Sequence, residues 1–379
     1  MDSSTLFTGY AWGFGSGGVA FHPTEPDRFI FFCFDAGPVW TGSRGDWFER
    51  RSAPGAWHSR GRISWTGAYR GEYQPVAGSR TIVATIGYYH DAKLMRSTDD
   101  GRTWELVEEA NGNYYFVGFH PRDPNLVFCE DLSSRDAGAT WQAIPFLRDN
   151  KAEIMGIAAS RPDTLYALAK GGREIFRSDD RGGSWRSYVK ADWRFAGLSS
   201  LPTFGVDGRD ANVVYTLGRD RDLARFVGGP SIAGGESAGA GGPPGGSGGG
   251  SSGGGTQSGG IGEWRSMGVL KLAGAGSAED EKISRQTQNY VDQVAFDPRR
   301  PEILYATTGT AGLPYVFRSR DGGATWEDIS RNLPRLGRGG IVVSPHTGEL
   351  LHGSIFGTWV NPPPYDSPKA IYHKLVVPK

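Results

Sequence analysis

The fold prediction rests on the sequence Arg96-Ser97-Thr98-Asp99-Asp100-Gly101-Arg102-Thr103-Trp104, because its skeleton recurs along the chain of 379 residues. That skeleton is Ser-x-Asp-x-Gly-x-Thr-Trp, with Ser in place of Thr in the third copy. Repetition of one short pattern is typical of a repeat protein. The four copies are Ser97, Asp99, Gly101 and Trp104; Ser134, Asp136, Gly138 and Trp141; Ser178, Asp180, Gly182 and Trp185; and Ser319, Asp321, Gly323 and Trp326.

Each copy predicts a tight turn between two strands. An apolar run precedes it, as in Lys93-Leu94-Met95, and the Trp begins a second run. Asp and Gly tolerate turns and positive φ angles. We expect the Asp carboxylate to accept hydrogen bonds from turn N–H groups, with the Ser and Thr hydroxyls completing the ring. The Trp then anchors the returning strand in the core, so these aspartates are predicted to be structural.

The repeated pattern resembles the Asp-box, or bacterial neuraminidase repeat, a motif found in β-propellers. In that family the motif is a folding element remote from the active site. Photosystem-assembly and sortilin-type propellers of this kind serve as scaffolds and receptors. The resemblance therefore implies a propeller fold and leaves the function open.

A second phrase, with two prolines, precedes each turn pattern. It occurs at residues 20–26, 118–124 and 295–301, and Pro ends one strand and fixes the following turn. One unit then reads strand, Pro turn, strand, loop, strand, Ser-x-Asp turn and Trp strand. Four strands in about 40–50 residues are the unit of a propeller blade.

These units predict an all-β chain with one domain, residues 1–379, forming a seven-bladed β-propeller of four-stranded antiparallel blades. Strands at residues 6–12 and 370–377 are expected to close the ring. Residues 228–261, nearly all Gly, Ser, Ala and Pro, predict a flexible insertion in the blade 5 hairpin. It is either a tolerated surface loop or a tether used in assembly. The predicted inner strands are residues 18–22, 73–77, 115–119, 154–158, 202–206, 291–296 and 340–344.

The bulk composition excludes several classes of function. With 41 basic and 41 acidic residues the formal charge is zero, which argues against nucleic acid and anionic membranes as partners. The sequence has neither an apolar membrane span nor a signal-peptide start, so a soluble protein is expected and its location stays open. The histidines are scattered, so no metal and no cofactor are predicted. Cys33 and Cys129 are expected to be buried free thiols.

Candidate ligand residues are predicted on the face opposite the Pro turns and the Ser-x-Asp turns. Carboxylates beside exposed aromatic rings suit a sugar, since rings stack on pyranose faces while acids cleave or hold hydroxyls. The alternative is that loops above any propeller are polar and edged with aromatic rings. The candidates are Asp35, Asp91 and Glu130 as catalytic acids, and Tyr88, Tyr89, His90, Trp57, Trp65, Tyr69, Tyr114 and Trp193 as ligand-binding residues.

The N-terminal stretch 12–26, with Asp35-Ala36-Gly37, resembles the opening of the xyloglucanase family of glycoside hydrolases. The resemblance implies that Asp35 is catalytic. Two departures stand against it: Gly37-Pro38 replaces a Gly-Gly pair, and that family places its second acid on a second propeller. Asp91 and Glu130 are candidates for the partner acid by blade position alone.

Two functions follow from these patterns. The first is a non-enzymatic propeller that binds a protein or glycan partner, as a structural part of a larger complex such as a virion or another multi-protein assembly. The alternative is a glycoside hydrolase of the xyloglucanase type, acting on β-glucan through Asp35. Two carboxylates facing each other at about 5 Å or at about 6–10 Å would favour hydrolysis.

Overall fold

Antiparallel sheets of four strands follow one another along the chain in the computed structural model. The structure describes residues 18–33, 37–43, 49–51, 67–88, 91–112, 116–169, 171–194, 203–228, 262–273, 290–308, 316–330, 339–354 and 372–375. Within each sheet, strands consecutive in sequence are neighbours. This up-and-down order is that of propeller blades.

Blade 1 contains β1 (Val19–Phe21), β2 (Phe29–Cys33), β3 (Gly37–Thr41) and β4 (Glu49–Arg50). Blade 2 contains β5 (Gly67–Tyr73), β6 (Ile82–Tyr88), β7 (Asp91–Ser97) and β8 (Glu105–Gly112). Blade 3 contains β9 (Gly118–His120), β10 (Asp123–Cys129), β11 (Leu132–Ser134) and β12 (Gln142–Ala143), and helix α1 (Pro145–Asp149) follows it.

Blade 4 contains β13 (Ala152–Ile157), β14 (Leu165–Ala169), β15 (Glu174–Ser178) and β16 (Arg186–Lys190). Blade 5 contains β17 (Phe204–Val206), β18 (Val213–Leu217), β19 (Leu223–Gly228) and β20 (Gly262–Ser266), and helix α2 (Val269–Ala273) follows it. Blade 6 contains β21 (Val291–Phe296), β22 (Leu304–Thr308), β23 (Val316–Ser319) and β24 (Glu327–Asp328). The last sheet contains β25 (Gly339–Val343), β26 (Leu350–Ser354) and β27 (Tyr372–Leu375).

The all-β propeller is confirmed, but the prediction of seven four-stranded blades is wrong. The described residues form six blades of four strands, and the last sheet has three. The prediction counted inner strands, and an inner strand does not guarantee a complete blade around it. The predicted closing strand at residues 6–12 lies outside the described residues. The second inner strand is Gly67–Tyr73 rather than residues 73–77, because Pro75 lies in the turn that follows it.

The core lies in layers between consecutive sheets, which we call seams and number by the blades they join. In seam 1/2, for example, Ile30 and Phe32 pack against Ile82 and Ala84. The ring closes because Leu351 of the last sheet packs in one cluster with residues of β1, β2 and β3. His346 Nε2 also lies 2.7 Å from the His22 carbonyl oxygen. The first strands of successive blades lie side by side around the ring.

The repeated pattern forms four equivalent turns, the Ser–Asp turns, at residues 97–104, 134–141, 178–185 and 319–326. In the first, Asp99 Oδ1 accepts hydrogen bonds from the Ser97 hydroxyl at 2.9 Å and the Thr103 N–H at 2.8 Å. Asp99 Oδ2 accepts the Thr103 hydroxyl at 2.7 Å, and the Gly101 N–H donates to Ser97 Oγ at 2.8 Å. The other three turns repeat these bonds. Each carboxylate is therefore used by its own turn.

The Pro turns are capped by the residue that precedes the first proline. His22 Nδ1 accepts the Glu25 N–H at 3.1 Å, and His120 Nδ1 accepts the Arg122 N–H at 3.2 Å. In blade 6, Asp297 Oδ1 accepts the Arg299 N–H at 2.9 Å. These histidines are thus acceptors in turns. Backbone bonds such as Ala137 N–H to Asn125 O, at 2.9 Å, place each Ser–Asp turn beside a Pro turn, as predicted.

Candidate functional site

The face opposite these turns is formed by the connections between the second and third strands. Because strands alternate in direction, these connections lie at the other end of each blade. The described residues that border or form these connections are Cys33 and Gly37 in blade 1, Tyr88 and Asp91 in blade 2, 130–131 in blade 3 and 218–222 in blade 5. Of the predicted candidates, Tyr88 and Asp91 of blade 2 and Glu130 of blade 3 therefore lie at this face.

Many of the predicted site residues lie beyond what the structure describes. Tyr88 and Asp91 are at the ends of β6 and β7 and are opposite each other in the sheet register. The residues with described side chains are Tyr69, Glu130 and Trp193. Those outside the described residues are Asp35, Trp57, Trp65, Tyr89, His90 and Tyr114.

Glu130 is a buried turn residue. It has a φ angle of 51°, and its carbonyl oxygen accepts the Ile154 N–H of blade 4 at 3.1 Å. Its side chain is 8% exposed, and its charge acts on Arg70 in seam 2/3. Burial lowers the pKa of Arg70 to about 10, while Glu72 and Glu130 act in the opposite direction. Glu130 is therefore a buried residue of the β10–β11 turn rather than an exposed acid.

The sequence analysis did not single out Glu72, which lies on β5 on the same side as Arg70. Glu72 Oε2 accepts the Phe119 N–H of β9 at 2.6 Å. Burial raises the pKa of Glu72 to about 7, against the opposing effects of the Phe119 N–H and of Arg70. The signal was present in Arg70-Gly71-Glu72, since charged residues two apart on an inner strand point to the same side.

Trp193 links blade 4 to blade 5. Its indole Nε1–H donates to the Leu217 carbonyl at 3.2 Å, and its ring meets that of Trp264 edge-on at 5.6 Å between centroids. The Arg219 guanidinium lies 5.7 Å from the Trp193 ring centroid and forms an ion pair with Asp192. Tyr69 lies within β5 and is only 7% exposed, so its ring is not available to stack on a sugar.

Asp222 is a second buried carboxyl group on this face. Burial raises its pKa, although its Oδ1 accepts the Leu223 N–H at 2.8 Å and the Leu270 N–H at 3.3 Å. The Ser266 hydroxyl lies 2.9 Å from Asp220 Oδ2 and 3.4 Å from Asp222 Oδ2. Asp222 therefore ties the β18–β19 connection to the start of α2.

Among the described residues, no group of three or more His, Cys, Asp or Glu side chains is placed to hold a metal ion. Neither helix in the described part of the chain has the length and apolar character to cross a membrane. Cys129 is buried and unpaired, and burial raises the pKa of its thiol.

Sequence comparison finds partial relatives. No family model matches the chain. Xyloglucanase Xgh74A of Acetivibrio thermocellus is 27% identical over 239 residues, which are 62% of this chain and 22% of that protein. The chain thus spans less than a quarter of the length of this curated relative. Vacuolar protein sorting/targeting protein 10 of Sordaria macrospora is 30% identical over 107 residues, 26% of this chain and 7% of that protein.

Solved structures share the fold. A GH74 xyloglucanase from Xanthomonas campestris matches with a TM-score of 0.58 at 17% identity, over 92% of this chain and 52% of that one. The chain is a β-propeller related to the GH74 xyloglucanases. YCF48 from Cyanidioschyzon merolae matches with a TM-score of 0.55 at 14% identity, covering 92% of this propeller and 95% of that chain. The Cps50 (Swd1) β-propeller domain of Myceliophteria thermophila matches with a TM-score of 0.54 at 15% identity, covering 92% and 96%.

Proposed function

We propose that this propeller is a non-enzymatic interaction module that binds a protein or glycan partner. The observation that carries the proposal concerns the two described carboxyl groups with a raised pKa, Glu72 and Asp222. A raised pKa is the property of a catalytic general acid. Both carboxyl groups, however, accept backbone N–H groups from neighbouring elements. Both carboxyl groups are therefore used by the framework.

The extent of the structural matches supports the same proposal. The two single propellers, YCF48 and the Swd1 domain, are matched along nearly their whole length, whereas the xyloglucanase is matched along about half. The ring described in this chain corresponds to one propeller.

The partner is proposed to bind on the face of the strand 2–strand 3 connections. There the Trp193 ring, the Arg219–Asp192 ion pair and the exposed Asp220 lie on a rigid framework. Aromatic residues and Arg are enriched at protein interfaces. A larger assembly, such as a virion, remains the proposed setting.

A second candidate function is hydrolysis of β-glucan through Asp35. It is favoured by the 27% identity to a xyloglucanase over 239 residues. Hydrolysis also requires an acid on the opposite side of the scissile bond. Asp91 and Glu130 are the proposed partners by blade position, and Glu130 lies buried in its turn.

One experiment separates the two functions. The purified protein is incubated with xyloglucan and with mixed-linkage glucan, and reducing ends are measured beside a glycan-binding array. We expect no turnover for the wild type. Turnover that disappears in Asp35→Asn, with an unchanged circular dichroism spectrum, would refute the non-enzymatic proposal and assign Asp35 a catalytic role.

A further inference from the structure

At seam 1/2, three arginines share one buried carboxylate. Asp100 lies in the Ser–Asp turn of blade 2, and its side chain is 4% exposed. Its Oδ2 lies 2.9 Å from Arg80 Nε and 3.8 Å from Arg102 Nη1. Its Oδ1 lies 3.6 Å from Nη1 of Arg28, a residue of the blade 1 Pro turn, and accepts the Tyr73 hydroxyl at 3.4 Å. Side chains of blades 1 and 2 thus meet at Asp100.

Buried carboxylates on the same face of blades 5 and 6 have one arginine each among the described residues. Asp207 forms a two-point pair with Arg209, in which Nε lies 3.2 Å from Oδ1 and Nη2 lies 3.1 Å from Oδ2. The Tyr215 hydroxyl donates to Asp207 Oδ2 at 3.2 Å, as that of Tyr73 does to Asp100. Asp297 Oδ2 accepts Arg300 Nε at 3.0 Å. Seam 1/2 therefore has more guanidinium groups for its buried carboxylate than these two sites have.

The three arginines at seam 1/2 keep donors that face solvent. Arg80 and Arg102 are half-exposed, and Arg28 is partly exposed. A guanidinium has five N–H donors, whereas an ionised carboxylate accepts about four hydrogen bonds in all. Arg28 has a second carboxylate partner, Glu25, at 2.9 Å. Within the described part of the chain, Arg80 and Arg102 have Asp100 as their shared carboxylate partner. Asp100 thus holds these side chains together and leaves most of their donors unused.

Two buried donors in the same seam have no acceptor among the described residues. One is Trp104 Nε1, in the turn that contains Asp100. The tryptophans of the other three Ser–Asp turns donate to a glycine carbonyl of their own turn, at 3.0–3.1 Å. The other is Nε of the buried Arg51, which pairs through Nη2 with Glu49 and lies 4.7 Å from the Trp40 ring centroid. Seam 1/2 therefore has an excess of hydrogen-bond donors over acceptors.

We propose that the exposed edge of this cluster binds an oxyanion of the phosphate or sulfate type, either free or attached to a partner. Such a group offers several acceptor oxygens, which match the planar fork of a guanidinium in charge-assisted hydrogen bonds. Asp100 holds Arg80 and Arg102 in place before the anion arrives, which lowers the entropic cost of binding. The site lies on the face of the Ser–Asp turns, opposite the face proposed for the partner. It is therefore independent of the proposed function.

Thermal unfolding at constant ionic strength tests the site. The wild type and Arg80→Gln/Arg102→Gln are melted in increasing sodium sulfate or sodium phosphate, with sodium chloride adjusted to hold the ionic strength. The matched control is Arg209→Gln, which removes a half-exposed arginine from the one-to-one pair with Asp207. An anion that binds the folded state raises the melting temperature by mass action. General exclusion of these anions from the protein surface acts on all three proteins alike.

We expect the wild type and Arg209→Gln to show the same rise in melting temperature. The double variant should show only the general effect, because its affinity for the anion is at least about 10-fold weaker. If the double variant fails to fold, Arg102→Gln alone takes its place. An equal rise in the wild type and the variant at seam 1/2, or an equal loss in Arg209→Gln, would overturn the proposal.

A second measurement distinguishes the two sources of the oxyanion. A phosphoserine peptide, and the same peptide with serine, are titrated into the wild type and the double variant by calorimetry. Tighter binding of the phosphoserine peptide than of inorganic phosphate assigns the site to a modified partner. Equal binding assigns it to the free anion, and both results support the site provided that the double variant loses them. If neither anion nor the phosphoserine peptide binds the wild type, the proposal is wrong.

Discussion

In seam 2/3, the Ser–Asp turn at residues 134–141 packs against the preceding blade, whereas in seam 4/5 the described polar contacts centre on a buried arginine of blade 4. A Cβ atom on Gly138 would lie 2.5 Å from Val83 Cγ2, so the turn backbone touches blade 2 directly. Arg96 Nε also donates to the Ala137 carbonyl at 3.0 Å. The turn at residues 319–326 meets blade 5 similarly, through Gly323 and Met267.

Seam 4/5 depends on Arg177, whose side chain is 1% exposed. Its Nη1 donates to Asn212 Oδ1 at 2.7 Å and to the Ala211 carbonyl at 3.3 Å, both in blade 5. Its guanidinium lies 5.6 Å and 5.4 Å from the ring centroids of Tyr166 and Tyr188. One side chain of blade 4 therefore docks the β17–β18 turn of blade 5.

The difference between the two seams concerns where the hydrogen bonds come from. A Ser–Asp turn satisfies its own N–H groups with residues from the same eight positions, so it can be repeated in any blade. The Arg177 cluster needs partners from three separate parts of the chain. The β19–β20 connection of blade 5 carries no Ser-x-Asp-x-Gly pattern in its sequence. That connection is the one that carries the Gly- and Ser-rich residues 229–261.

The largest expected effect is that of Arg177→Met in seam 4/5. The change should cost about 3–5 kcal/mol in the free energy of unfolding, because it removes a buried guanidinium that donates to Asn212 and packs on two tyrosine rings. Arg177 donates to Asp179 Oδ1 at 2.6 Å through Nη2. Chemical denaturation of the wild type and the variant measures the loss.

The control is Arg186→Gln, on the outer strand of the same blade. Arg186 is 42% exposed and also pairs with Asp179, at 3.2 Å. An exposed ion pair is worth at most about 1 kcal/mol. If both variants lose equal stability, Arg177 does not seal the seam.

The next effect, in seam 2/3, is that of Gly138→Ala. Gly138 has a φ angle of 83°, and its new methyl group would overlap Val83. Left-handed backbone and overpacking together should cost about 2–4 kcal/mol. Gly182→Ala is the matched control: its φ angle is 86°, but the nearest atom would be 3.6 Å away. Gly182→Ala should cost about 1–2 kcal/mol in the same denaturation experiment. If Gly138→Ala and Gly182→Ala lose equal stability, the turn at residues 134–141 does not pack tightly against blade 2.

The sequence predicts the Ser–Asp turns well because every partner in them is local. Ser134, Asp136, Gly138 and Thr140 lie within seven positions, so their bonds follow from residue type and spacing. The pairing of Pro turns with Ser–Asp turns is also predicted. The capping role of His22 and His120 was not predicted, since a histidine before a proline accepts a turn N–H only in a particular turn geometry, which the sequence does not show.

The nonlocal contacts could not be predicted from the sequence. Arg177 and Asn212 are 35 positions apart, and Glu72 and Phe119 are 47 apart. Their meeting depends on the order of blades around the ring. For the same reason, the sequence pattern alone listed Glu130 and Tyr69 as candidates on the ligand face. Their burial follows from the way the blades pack in the assembled ring.

A smaller effect is expected at the Asp136 carboxylate. Hydrogen bonds from the Thr140 hydroxyl and N–H lower the pKa of Asp136 to about 2, so its contribution is present above pH 3.8 and lost as the pH falls through 2. Asp136→Ala should cost about 1 kcal/mol at pH 7, since water can reach the exposed Thr140 N–H. Asp136→Asn keeps one acceptor but cannot ionise. Melting temperatures from pH 5 to pH 2 should fall more steeply for the wild type than for Asp136→Asn, and parallel curves would contradict the turn's role.

The smallest effect is expected from replacing residues 229–261 with Asn-Gly. Gly228 and Gly262 are directly opposite in the β19–β20 register, so a two-residue hairpin turn can join them. Each halving of loop length should add about 0.6 kcal/mol of stability, partly offset by ordering the new turn. Seam 4/5 should not change, because the change leaves in place Tyr188 and Arg177, which bond to Asn212. The test is the melting temperature together with the Arg177→Met penalty in the shortened protein. If Arg177→Met costs the shortened protein as much stability as it costs the full-length protein, the seam is independent of the insertion. If the shortened protein fails to fold, residues 229–261 pack against the ring.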